Sequence, residues 1–187
     1  DADPATADAA PVRVRVRELP LQQATVGAGY SDKTGQRVSL EHLHRSVFGW
    51  AWVAKNKVEI GRDQRSWEGD LTSHPQPGGY RYLLAANVLR LDAAGTVLTS
   101  SRLRAGRAQD TERYERLIFA EALTDSTRTD GESASNRSLS ANYHWARRDL
   151  DNVLLPTDGN TTNLQVGLGY AVAGEANVPF FSISGSE

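Results

Sequence analysis

Length, composition and charge exclude several classes of protein. The 187 residues carry 21 Lys and Arg against 23 Asp and Glu, and the net charge of −2 nominates neither a nucleic-acid binder nor an acidic activation domain. The absence of Cys excludes disulfide scaffolds, thiolate metal sites and Cys nucleophiles. The longest strongly apolar run, residues 83–89, is far shorter than the roughly 20 residues of a membrane-spanning helix.

The first twenty residues are expected to form the end of a preceding unit. The sequence has no Met, so its start codon lies outside these residues. Residues 1–11 carry little large apolar surface and are interpreted as a linker. Val12, Val14 and Val16 then alternate with arginines, which is the period of an amphipathic strand. The arginines could form a basic patch for phosphates, but we interpret the segment as an outer strand whose valines pack inward.

From Leu21 onward the sequence predicts one strand after another, each ending at a Gly, Pro, Asn or Asp turn signal. The ten predicted strands are 21–31, 37–45, 50–60, 64–72, 80–91, 96–107, 112–123, 135–148, 161–172 and 178–184. No segment has a convincing helical period. Short connections without crossover helices favour an all-β, antiparallel, up-and-down sheet.

The eighth and ninth segments have the clearest alternation. Their apolar faces consist of Leu139, Ala141, Tyr143 and Trp145, and of Leu164, Val166, Leu168, Tyr170 and Val172. Aromatic residues at one end of such a face are typical of a strand that crosses a membrane beneath an interfacial girdle. The pattern equally fits a soluble barrel with an apolar interior, since alternation does not say which face is wet. The fifth and seventh segments have apolar residues on both faces, so we predict no register for them.

Two motifs link the sequence to a family. A strand with Gly27-Ala-Gly-Tyr-Ser leads through a short acidic loop to a second strand that ends in Arg45-Ser-Val-Phe-Gly49. Far downstream, Arg147-Arg148-Asp149 precedes Pro156-Thr-Asp-Gly159, and another strand follows at once. In this order, with a strand meander between them, the motifs resemble the barrel of the outer-membrane-protein assembly superfamily, and most closely its TamA-like branch of autotransporter assembly factors.

The resemblance implies an architecture and a function. It implies part of a transmembrane up-and-down β-barrel, about ten of sixteen strands, with residues 1–20 as a linker and the last strand of a POTRA domain and residues 21–187 as the N-terminal part of the barrel. The implied activity is not enzymatic: the protein helps β-barrel proteins such as autotransporters insert into the outer membrane of Gram-negative bacteria. The implied partners are outer-membrane lipid, unfolded β-barrel clients and a TamB-like protein anchored in the inner membrane, with no cofactor and no nucleic acid.

The resemblance also nominates site residues. The first barrel strand, which forms a lateral gate in the family, corresponds to Ala24, Val26, Gly27, Ala28, Gly29 and Tyr30. The family turn motif corresponds to Arg148, Pro156, Thr157 and Gly159. Glycines on one face of a strand weaken its packing and let another backbone approach, although they could equally relieve crowding at a barrel seam. Pro156 and Gly159 predict a turn on backbone grounds alone.

Other candidate chemistry is weaker. His42 and His44 share a strand face, but a third metal ligand is not identifiable, so we predict no metal site. No catalytic or nucleotide-binding motif occurs, so we predict no enzyme. Arg102 and Arg104 share a face that would line the wet interior of a membrane barrel. The alternative function is a soluble up-and-down barrel that binds a small apolar ligand, and it requires the apolar faces of segments eight and nine to point inward.

The family topology predicts which connections share a side of the membrane. With the N-terminus in the periplasm, the connections after even-numbered strands are periplasmic. The connection Thr124–Ala134 is then expected to be extracellular.

Overall fold

The computed structural model describes residues 14–16, 18–32, 35–150, 159–173 and 176–186, and gives no side-chain placement for residues 150, 173, 176 and 177. The described residues form ten β-strands. The strands are β1 Gln22–Ser31, β2 Gly35–Val47, β3 Trp52–Gly61, β4 Gln64–Thr72, β5 Tyr80–Ala93, β6 Thr96–Asp110, β7 Tyr114–Thr129, β8 Glu132–Leu150, β9 Gly159–Ala173 and β10 Ala176–Ser186. No described segment forms a helix that could cross a membrane.

The strands form one antiparallel sheet in chain order, from β1 to β10. Within the described residues β1 pairs only with β2, and β10 pairs only with β9, so the sheet is open at both edges. The expectation of an all-β, antiparallel, up-and-down sheet is confirmed. All ten predicted strands are present, in the predicted order.

Tight hairpin turns connect the longest strands. Ala94 and Gly95 have φ of 51° and 83°, and Asp130 and Gly131 have φ of 46° and 89°. Two consecutive positive φ angles are the mark of a type I′ turn, whose twist suits a two-residue hairpin. Gly fits the second position because it adopts positive φ without a steric cost.

The connection predicted at Thr124–Ala134 is wrong in extent. The structure continues β7 to Thr129 and begins β8 at Glu132, so only Asp130 and Gly131 lie between them. Apolar alternation stops at Leu123 and resumes at Leu139, because both faces of the hairpin tip are polar. Backbone pairing nevertheless continues, from Thr124 opposite Arg137 to Thr129 opposite Glu132.

The sheet has two chemically different faces. Directly paired residues of neighbouring strands lie on the same face, so the register assigns every strand residue to one of two sets. The apolar face carries the large residues Val26, Leu40, Val58, Trp67, Leu84, Leu103, Ile118, Leu139, Val166 and Ile183. The polar face carries the charged residues Arg37, Glu41, Lys55, Lys57, Glu59, Glu68, Asp70, Arg102, Arg104, Glu115, Glu121 and Arg148.

The apolar face is the more exposed one. In β7, Ile118, Ala120 and Ala122 are exposed, whereas Phe119 and Glu121 on the polar face are half-buried. Leu139 and Leu168 on the apolar face are each 62% exposed. Ala146 is the only buried hydrophobic residue in the described part of the chain. The sheet therefore has no apolar core of its own, and its apolar side chains face outward.

The apolar positions shift along successive strands. One row of directly paired residues is Gln22, His44, Ala54, Leu71, Leu84, Ala105, Ala120, Ala141, Leu168 and Phe181. A second row lies four residues from the first, toward the end of the sheet where β1 ends. It consists of Val26, Leu40, Val58, Trp67, Val88, Ser101, Thr124 and Arg137. The first row is polar in β1 and β2, and the second is polar in β6 to β8. The apolar band therefore runs diagonally across the sheet.

The residues before β1 form no strand where they are described. Val14 and Val16 are 77% and 81% exposed, and residues 14–16 and 18–20 are outside any strand. Residues 1–13 and 17 lie outside the described part of the chain. The strand predicted at residues 12–18 would pair within a preceding domain, so that assignment stays a prediction. The segment meets the sheet at Pro20, whose carbonyl accepts a hydrogen bond of 2.6 Å from Arg45 Nη1.

Candidate functional site: the β1 edge and the two faces of the sheet

Glycines in β1 make room for side chains of β2. Gly27 lies opposite Ser39 and Gly29 opposite Arg37, all on the polar face. A Cβ on Gly27 would lie 2.7 Å from Ser39 Oγ, and one on Gly29 would lie 3.2 Å from Arg37 Nε. On the β2 side, these glycines therefore relieve crowding by two polar side chains. The predicted placement of Val26, Ala28 and Tyr30 on the opposite face is confirmed by the register.

The backbone of β1 is directed alternately to β2 and to the open edge. Arg45 N donates to Leu21 O at 2.9 Å, which places Leu21 in a hydrogen-bonded pair with β2. Because such pairs alternate along an antiparallel ladder, Gln23, Thr25 and Gly27 also turn their backbone groups to β2. Ala24, Val26 and Ala28 turn theirs to the open edge. This edge has the groups that another strand needs for pairing.

A carboxylate lies between two arginines on the polar face. Arg104 donates to Glu121 Oε2 from Nη2 at 2.6 Å and from Nε at 3.1 Å, and Arg102 Nε lies 3.8 Å from the same oxygen. The Glu121 side chain is only 20% exposed. The Arg104 guanidinium also lies 4.5 Å from the centre of the Phe119 ring, within the range of cation–π attraction. This network fixes charged groups on the less exposed side of the sheet.

The family turn motif is described only in part. Arg148 lies on the polar face, where it donates to a carboxylate oxygen of Glu115 and lies 3.9 Å from Asp110. Its backbone N–H donates to Arg113 O at 2.9 Å. Gly159 has a φ of 137°, in the region that favours glycine. Pro156 and Thr157 lie outside the described residues. The structure thus places Arg148 in an ion-pair cluster and does not bring the whole motif together.

A charged concavity lies on the polar face near β1. A cavity of about 360 Å³ is lined mainly by polar-face residues of β1 to β4, including Glu41, Lys55, Lys57, Glu68 and Asp70. Lys57 Nζ lies 3.7 Å from Glu41 Oε1. Mixed charges in a water-accessible cavity suit a solvated channel wall and do not suit an apolar ligand.

Aromatic residues border the apolar face. Of the Phe, Tyr and Trp residues within the ten described strands, only Phe119 and Phe180 lie on the polar face. At the end where β5 begins are Trp52, Tyr80, Tyr82, Tyr114 and Trp145, and at the other end are Tyr30, Trp67 and Tyr170. Arg107 lies 3.5 Å from the Tyr80 ring centre. Amphipathic rings and arginines at both borders of an apolar band are typical of a membrane–water interface.

His42 and His44 share the apolar face, as their spacing predicts. Their ring centroids are 6.3 Å apart, His42 Nε2 lies 3.2 Å from Gln22 Oε1, and His44 Nδ1 accepts a hydrogen bond from Ser46 N–H at 3.2 Å. In the described part of the chain no group of three His, Asp or Glu residues is placed to hold a metal ion.

The Glu121 network was missed by sequence reasoning because the seventh segment had no predicted register. The Asp130-Gly131 hairpin signal fixes only the register between β7 and β8, which places Glu121 opposite Ser140. The pairing of Glu121 with Arg104 depends on the connection between β6 and β7, which has no comparable two-residue signal. Together these features define an open antiparallel sheet with one exposed apolar face and one charged face. No model of a known protein family and no curated protein matches the sequence.

Proposed function

We propose that this chain is the N-terminal part of an outer-membrane β-barrel that helps other β-barrel proteins, autotransporters among them, insert into the outer membrane. The observation that carries the proposal is the exposed apolar face, which extends over all ten strands opposite a charged face. A membrane barrel has this pattern, with apolar side chains toward lipid and polar side chains toward the lumen. The motifs that resemble the assembly superfamily direct the proposal from membrane barrels in general to this class.

The diagonal course of the apolar band supports a membrane location. Strands of outer-membrane barrels are tilted by about 35–45°, so a flat hydrocarbon layer crosses successive strands at shifted positions. The apolar residues of the later strands lie in the row through Leu168 and those of the first strands lie in the row through Val26, which is the shift that tilted strands produce. The shortest strand, β4, has 9 residues, and a tilted spanning strand needs about 9–11.

The alternative of a soluble ligand-binding barrel has less support. It requires apolar side chains to line the interior, but Leu139 and Leu168 are exposed, and the cavity on the polar face near β1 is lined by carboxylates and lysines. A soluble sheet that exposes this many large apolar residues on one face is prone to aggregate. The observed faces are opposite to those that the alternative needs.

The open edge of β1 supports the assembly step. Client strands would pair with the backbone groups that Ala24, Val26 and Ala28 direct away from β2, which is β-strand addition. In β2 the apolar residues Val38 and Leu40 are followed on the same face by His42 and His44, so the apolar band is short beside this edge. A short apolar band favours local thinning of the bilayer, which lowers the barrier to insertion. The family further implies a TamB-like partner.

The experiment compares two substitutions at Ala28 in the complete protein, reconstituted in lipid vesicles. Ala28→Pro removes a backbone N–H that faces the open edge and leaves the pairing with β2 intact, whereas Ala28→Val keeps this N–H. The rate at which an autotransporter β-domain folds into the vesicles is measured by its resistance to unfolding in detergent on a gel. We expect the unsubstituted protein and Ala28→Val to accelerate folding, and Ala28→Pro to accelerate it several-fold less.

Two results would contradict the proposal at different points. No acceleration by the unsubstituted protein over empty vesicles removes the assembly function. Equal acceleration by Ala28→Pro and Ala28→Val removes the β1 edge from the mechanism. Circular dichroism of each variant checks that the barrel is folded.

A further inference from the structure

Two arginines on the apolar face are directly opposite each other. Arg65 in β4 pairs with Arg90 in β5, and both side chains are exposed. Side chains of directly paired residues are only about 5 Å apart at Cβ, and like charges at this distance destabilise a sheet. The pair therefore needs a compensating negative charge.

The described residues supply only part of that charge. Neither guanidinium has a hydrogen-bond or ion-pair partner in the described part of the chain. The two arginines line a cavity of about 230 Å³ together with Arg62, Asp63 and Asp92. Asp63 lies 3.8 Å from Arg62 and so partly neutralises that residue. Three guanidinium groups against two carboxylates leave the cavity with a net positive charge.

The pair lies at the border of the apolar band. The next pair on the same face, one step toward the centre of the band, is Trp67 in β4 opposite Val88 in β5. The Trp67 ring lies over Gly69, since a Cβ on this glycine would be 2.7 Å from Trp67 Cζ2. An arginine pair one step beyond an exposed Trp is at the depth of lipid headgroups if the apolar band contacts lipid.

We infer that Arg65 and Arg90 bind a phosphate group of an anionic membrane lipid at the border of the membrane. The inference rests on the proposed function, because it needs the apolar face to contact lipid. A guanidinium donates two parallel hydrogen bonds to phosphate oxygens, so two opposed guanidiniums can hold one phosphate from both sides. The bound anion removes the repulsion between the arginines, while the acyl chains lie against Trp67 and Val88.

The test uses the fluorescence of Trp67 in the complete protein, with every other tryptophan replaced by phenylalanine. The protein is reconstituted in two vesicle preparations of the same composition, phosphatidylcholine with a fraction of phosphatidylglycerol. In one preparation the phosphatidylglycerol carries brominated chains, and in the other an equal mole fraction of the phosphatidylcholine carries them. We expect brominated phosphatidylglycerol to quench Trp67 several-fold more effectively. This preference should disappear in Arg65→Gln and in Arg90→Gln and persist in Arg81→Gln, which removes the same charge from the polar face of β5.

The failures are distinguishable. Equal quenching by the two brominated lipids in the unsubstituted protein, or a preference that survives both Arg65→Gln and Arg90→Gln, overturns the lipid site and leaves the proposed function standing. Absence of quenching by either lipid overturns both, because Trp67 would then lie outside the membrane. Each single substitution removes a like-charge contact, so we expect both variants to fold.

Discussion

Val166 lies in the middle of the apolar face, between Tyr143 on β8 and Ile183 on β10. Gln165 lies on the polar face, opposite His144. In a lipid bilayer, Val166→Arg should lower the free energy of unfolding of the complete barrel by about 2–4 kcal/mol, because an arginine near the midplane loses its hydration. Gln165→Arg should change it little. Urea unfolding in vesicles measures both values, and equal losses would reject the assignment of faces.

Glu121 provides a second residue-scale prediction, on the polar face. Glu121→Gln removes the charge that two arginines share, and we expect it to lower the free energy of unfolding by about 1 kcal/mol, between the values for exposed ion pairs and for hydrogen bonds to charged groups. Glu132→Gln at the exposed hairpin tip is the matched control, with an expected change near zero. If the two variants unfold at the same urea concentration as the unsubstituted protein, the Glu121 network does not stabilise the fold.

At the scale of strands, alternation predicted most of the sheet. The eighth and ninth segments were placed correctly because their small polar and large apolar residues alternate without interruption, and the register puts Leu139 opposite Tyr170 and Ala141 opposite Leu168. The β7–β8 hairpin tip was not predicted, since from Thr124 to Arg137 both faces are polar and backbone pairing alone continues the strands. In the candidate site, the two faces of β1 could be predicted from the sequence. The pairing of Arg65 with Arg90 could not be predicted, because strand five has apolar residues on both faces and its pattern therefore defines no register.

The β7–β8 hairpin makes a prediction about topology. Its polar tip extends beyond the apolar band, and Ser133 is exposed beside the turn. Because the 187 residues contain no Cys, a cysteine introduced here is the only one in this part of the protein. With a periplasmic N-terminus, Ser133→Cys should react with an impermeant maleimide on intact cells. Glu112→Cys, at the opposite end of the sheet between β6 and β7, should react only after the outer membrane is permeabilised; the reverse pattern would overturn the topology.

For the whole molecule, the two faces and the two open edges have a common consequence. An antiparallel sheet with an apolar outer face and open edges is not at its free-energy minimum in water, since both features drive association. In the proposed barrel, closure with further strands would remove the edges, and lipid would cover the apolar face. The charged face carries cross-strand ion pairs such as Arg148 with Glu115 and Arg104 with Glu121, and it would remain hydrated in either state.

The exposed apolar residues determine how the 187 residues behave in water when they are produced alone. Leu139 and Leu168 are each 62% exposed and Phe181 is 81% exposed, and nothing in the described part of the chain covers them. Detergent tails can bury these side chains at a gain of roughly 25 cal/mol per Å² of apolar surface, whereas water cannot. We therefore expect a monodisperse species in sedimentation velocity above the critical micelle concentration of a mild detergent and large aggregates below it. A monodisperse, β-rich monomer in buffer without detergent would show that the apolar face is not built for lipid.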